Sequence, residues 1–100
     1  MPGTRLYMHF FDQGKFNNHT AIKDVGFETY HELRAEIDEF IGEQITVTPD
    51  VKVRINIWDV ELDQGNWIQW SFGPISFRKL LEIEYASVRI YVYKGGLPSF

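Results

Sequence analysis

The sequence predicts an α+β domain: a mixed sheet of four to five strands with one main helix across one face. Three observations carry this. Residues 51–58 alternate strictly between apolar and polar, the pattern of a half-buried strand. Residues 29–42 repeat apolar side chains at helical spacing behind a capping signal. Residues 87–93 alternate again, with Val88, Ile90 and Val92 on one side.

Taken in order, Arg5 to Asp12 is a first strand, rich in Leu, Tyr, Met and Phe. Gln13 to Asn18 contains Gly14 and Asn17-Asn18, which are turn residues. His19 to Val25 is a weaker strand. It is assigned because long structureless loops are uncommon in compact domains. Thr29 is an N-cap and Glu32 completes a capping box. Tyr30, Leu33, Ile37, Phe40 and Ile41 form the buried stripe of the helix, while Glu32, Glu36, Glu39 and Glu43 lie outside, a solvated face. Gly42 is a plausible stop.

Pro49-Asp50 breaks the chain before Val51. From there Val51, Val53, Ile55 and Ile57 face one way, and Lys52, Arg54, Asn56 and Trp58 the other. Asp63 to Asn66 is a turn and Trp67 to Phe72 pairs back. Pro74 ends that strand. Ser76 caps a short helix from Phe77 to about Leu81, although residues 81–85 also alternate like a strand. The last strand is Ser87 to Tyr93. One domain spans residues 1–100, with an ordered core over about 5–94 and a flexible tail over 95–100.

Composition narrows the chemistry. The chain is 44% hydrophobic with eight Phe, five Tyr and three Trp, enough to fill a core with some rings left outside it. Its net charge of −4 and pI near 5.2 argue against non-specific binding to duplex nucleic acid. Cysteine is absent, which removes disulfides, thiolate catalysis and cysteine-ligated zinc and favours a cytoplasmic setting. The first residues lack the apolar core of a signal peptide, and no window is long enough to span a membrane. His9, His19 and His31 show no metal-ligand spacing and read as ordinary surface or half-buried histidines, so no metal or other cofactor is expected. No serine sits in a nucleophile elbow, and the carboxylates lack a pocket, so no catalytic residue is assigned and the chain is not read as an enzyme.

The order hairpin, helix, hairpin, short helix, strand resembles a ubiquitin-like β-grasp domain. Within that fold the chain is most similar to Phox/Bem-type protein-interaction domains, and less so to doublecortin and DIX domains. Three segments carry the resemblance: Phe27-Glu28 with Leu33 and Ile37, the acidic loop Asp59 to Trp67, and Ser76 to Leu81 followed by Val88 to Val92. The resemblance implies a β-grasp-like sheet and a non-enzymatic role in binding another protein. A ferredoxin-like βαββαβ arrangement is the alternative if residues 13–28 form no strand.

Two surfaces are candidates for the contact. Asp59, Glu61 and Asp63 recur at alternate positions toward the end of a hairpin, where crowded like charges call for a basic partner. The other surface is the polar side of the sheet, with Lys52, Arg54, Trp58, Arg89 and Tyr91 as its core and Asn56, Tyr93, Tyr7 and His9 beside them. Cations and aromatic rings suit a protein contact, cross-strand pairing within the sheet, or a single-stranded nucleic acid. Self-association also stays open. Size and acidity further admit a small inhibitor from a mobile element that blocks a nucleic-acid-processing complex. Gly95-Gly96 reads as a flexible end rather than a modifier tail.

Overall fold

The structure, a computed structural model, describes residues 3–12, 15–59, 68–82 and 86–95; at 16–19, 59 and 68–70 it describes the backbone alone. The elements run β1 (Gly3–Asp12), β2 (Lys15–Gly26), α1 (Tyr30–Gln44), β3 (Val51–Asp59), β4 (Ile68–Ser71), α2 (Arg78–Glu82) and β5 (Ala86–Lys94). They build one five-stranded sheet in the order β2-β1-β5-β3-β4. The central pair, β1 and β5, is parallel, and the other three pairings are antiparallel. This is the expected α+β, β-grasp-like arrangement. The βαββαβ alternative is excluded, because residues 15–26 form a strand paired along β1.

The hairpin differs from expectation in its turn. Asn17 and Asn18 lie within β2, which begins at Lys15, itself paired with Asp12 of β1. His9 pairs with Thr20 while Phe11 pairs with Phe16, so residues 17–19 of β2 oppose Phe10 alone. The two asparagines, residues suited to irregular backbone, mark a bulge rather than the turn.

Helix α1 forms where its caps and stripe place it. The Thr29 hydroxyl accepts from the Glu32 N–H at 3.2 Å, and the Glu32 carboxylate accepts from the Glu28 N–H at 2.9 Å. The reciprocal bond reaches one residue further back than in a standard capping box. Leu33, Ile37, Phe40 and Ile41 are buried, and Tyr30 is partly so. Gly42 does not end the helix. Its backbone φ is not positive, and α1 runs on to Gln44, with the Ile45 N–H still bonded to the Ile41 carbonyl at 3.0 Å. A helix-interior glycine costs about 1 kcal/mol against alanine, which this packed helix tolerates.

The helix stripe meets Leu6 and Met8 of β1, Ile57 of β3, and Val88, Ile90 and Val92 of β5 in one core. Strand alternation places Val51, Ile55 and Ile57 on the core side, as expected, although Val53 stays 36% exposed. The segment after β4 is tied down by rings. Tyr30 stacks on Phe72 at 5.2 Å, and Phe27 packs against Phe77 at 5.4 Å. Ser76 does not cap α2, which begins two residues later. Its hydroxyl donates to the Ser71 carbonyl at 2.6 Å and accepts from the Gly73 N–H at 3.0 Å, bracing the bend instead. After β5, Gly95 sits at φ 77, a left-handed conformation that explains a glycine there.

Candidate functional site on the open sheet face

The helices pack on one face of the sheet, so the register decides what the other face carries. β3 and β5 pair Lys52 with Tyr93, Arg54 with Tyr91 and Asn56 with Arg89. β1 and β5 pair Tyr7 with Arg89 and His9 with Tyr91. β2 adds Asp24 opposite Arg5 and Thr20 opposite His9. The five residues assigned to this surface from sequence, Lys52, Arg54, Trp58, Arg89 and Tyr91, therefore share one face, with Tyr7 and His9 beside them.

Arg89 is the hub. Its guanidinium carbon lies 3.3 Å from the Trp58 ring centroid and 4.5 Å from that of Tyr7. Cations bind such ring faces through the aromatic quadrupole, more strongly where water is partly excluded. Arg89 Nη1 is 3.0 Å from His9 Nε2, and Thr20 Oγ1 is 3.3 Å from His9 Nδ1. A guanidinium can only donate. Nε2 must therefore present its lone pair, and the ring proton resides on Nδ1, where it donates to Thr20. The imidazole is held neutral in one tautomer. Burial pushes the His9 pKa down to about 4, and the neighbouring Arg89 charge adds to this. Burial also lowers the Arg89 pKa.

The rings on this face are largely consumed by one another. His9 stacks with Tyr7 at 6.4 Å and with Tyr91 at 5.6 Å. Trp58 and Tyr91 are each only 8% exposed. The sequence places these residues on this face and leaves open whether their rings pair across the strands or meet a partner; the ring contacts here are those of cross-strand pairing. What the face presents is cationic: Lys52 and Arg54 are exposed and Arg89 is half-buried. Asp24 is already engaged by Arg5 at 2.8 Å, which holds its carboxyl below the usual range. Arg89 has no carboxylate within ion-pairing distance among the described residues, and its Nε is buried with no hydrogen-bond partner there. An open groove of about 520 Å³ adjoins the hub and is lined in part by Arg5, Tyr7, Asp24 and Ser87.

Sequence reasoning did not foresee the part played by His9 and Thr20. Only the cross-strand register brings them to Arg89, and no local spacing encodes it. The acidic candidate surface lies outside the described residues: Glu61 and Asp63 fall in 60–67, and Asp59 is described by backbone alone, paired with Ile68 and Ala86. Among the described residues no cluster of His, Asp and Glu is placed to hold a metal ion, and no helix is long and apolar enough to cross a membrane. No protein-family model, curated protein or solved structure matches the chain.

Proposed function

We propose that the protein is a non-enzymatic binding module that recognises another protein through its open sheet face. The observation that carries this reading is a segregation of charge. Helix α1 holds five acids, Glu32, Glu36, Asp38, Glu39 and Glu43, against one arginine, in a chain of net charge −4. The opposite face instead displays Lys52, Arg54 and Arg89. A Phox/Bem-type or other ubiquitin-like relationship fits such a role, and the order of the sheet supports it. The acidic trio Asp59, Glu61 and Asp63 remains a second proposed contact, one that would take a basic partner.

A single-stranded nucleic acid is the other reading that a basic, aromatic face invites. It is disfavoured because base stacking needs free ring faces, and here Arg89 occupies Trp58 while His9 packs between Tyr7 and Tyr91. An inhibitor that blocks a nucleic-acid-processing complex is one biological form that the protein-binding reading could take.

The test is site-specific photocrosslinking in the native host. A benzophenone amino acid at Lys52 or Arg54 is expected to capture a protein, identified by mass spectrometry, and the same group at Glu36 on α1 is not. Capture from Glu36 alone would overturn the assignment of the face.

A further inference from the structure

We propose that Arg89 is a receptor for a carboxylate, and that the segment docking on the open face is acidic. This rests on the open-face reading above and names the chemistry of the partner. Arginines buried to this degree are ordinarily matched by a carboxylate or a set of acceptors. Arg89 is matched by two ring faces and one neutral imidazole nitrogen, none of which cancels its charge. The neighbouring ion pair on the same face shows the contrast: Arg5 has Asp24 directly across the strand.

The surroundings orient the group. The Trp58 and Tyr7 rings confine the guanidinium, and His9 holds Nη1. A fork fixed in this way is suited to planar, two-pronged recognition of a carboxylate. The exposed Lys52 on the adjacent strand extends the positive surface, so a further acid flanking the first would also be met favourably. The His9 lone pair keeps Arg89 in place without neutralising it. An aspartate there would have neutralised it and closed the site. Stacking of a nucleobase is not served by this geometry, because the ring faces already carry Arg89 and His9.

The experiment uses the whole chain, isotopically labelled, with a hexaglutamate peptide as the probe and oligothymidylate and inorganic phosphate as comparators. Hexaglutamate is expected to shift the Arg89 Nε–Hε resonance and the His9 ring resonances before those of Arg34 on α1. Arg89→Gln is expected to weaken the peptide at least ten-fold, and Arg89→Lys, which keeps the charge and loses the fork, to weaken it less. Arg34→Gln should leave binding unchanged. The wild-type resonance shifts stand by themselves if Arg89→Gln does not fold. The proposal is overturned if hexaglutamate leaves Arg89 unmoved, if oligothymidylate or phosphate binds there and the peptide does not, or if Arg89 resonances shift with protein concentration alone, which would make a second copy the occupant. Its failure is separable from that of the open-face reading: crosslinks from Lys52 or Arg54 with an unresponsive Arg89 remove the carboxylate receptor and keep the face.

Discussion

The His9–Arg89 pair makes the stability of the fold depend on pH in a window set by one residue. His9 is neutral in the folded chain with its pKa lowered to about 4, against an ordinary value of 6.5. Above pH 6.5 neither the folded nor the unfolded chain protonates it, and its full contribution to stability is present. Between pH 6.5 and about 4 the unfolded chain takes up a proton that the folded chain refuses, so stability falls as pH falls. Below about pH 4 both states are protonated and the loss is complete. A shift of this size would correspond to a ceiling of about 3 kcal/mol. His9 is half-buried, and solvent screening reduces the expected loss to about 1–2 kcal/mol.

Urea unfolding at intervals from pH 7 to pH 4 measures this, with His9→Gln as the reference. The glutamine amide can accept from Arg89 and donate to Thr20, yet it does not titrate. Carboxylates such as Asp24 titrate equally in both proteins and cancel in the difference. The stability of the wild type relative to His9→Gln should therefore fall by about 1–2 kcal/mol between pH 7 and pH 4. The His9 ring resonances should show a midpoint near 4 in a direct titration. Parallel pH profiles for the two proteins, or a His9 midpoint near 6.5, would refute the geometry assigned to the hub.

Leu33 is fully buried under the sheet, so Leu33→Ala should destabilise the protein by about 2–5 kcal/mol in urea unfolding through the cavity it leaves; a change under about 1 kcal/mol would contradict its place in the core. β5 is hydrogen-bonded on both sides, by β1 and β3, whereas β2 is an edge. Amide exchange should therefore be slowest at Val88 to Val92 and faster at residues 20–25, and the reverse order would contradict the sheet topology.

How much of this was legible in the sequence depends on the range of the interaction. Helix α1 was readable because its signals are local. Thr29, Glu32 and the stripe from Tyr30 to Ile41 each act within a few residues. β3 and β5 were readable because alternation alone reports a half-buried strand. β2 has no such pattern, and its assignment rested on the length of loop that its absence would have required. For the same reason its bulge was mistaken for a turn: Asn17-Asn18 signal irregular backbone, but not which irregularity. Ser76 looks like a cap by position, yet its hydroxyl finds the Ser71 carbonyl, a choice set by the bend after β4. The membership of the open face followed from alternation. Its internal contacts did not, because the pairing of Tyr7 with Arg89 and His9 with Tyr91 depends on the register of two strands eighty residues apart in sequence.

The same alternation explains how an acidic chain comes to own a cationic surface. A strand delivers every second residue to one side, so Lys52 and Arg54 reach the open face while Val51, Ile55 and Ile57 of the same strand pack on the core side. The helix spends its outer positions on acids, and the sheet between the two layers keeps the signs apart. An approaching macromolecule first meets the field of the whole molecule, net −4, which falls off over a Debye length of about 8 Å at physiological ionic strength. Within that distance the local face dominates. A basic partner would be drawn in from afar but turned toward α1. An acidic one would be weakly repelled at long range, so the complex proposed above would have to hold through contacts made only after docking. On the proposed reading, recognition at the open face would therefore rest on contacts made after docking rather than on the long-range field.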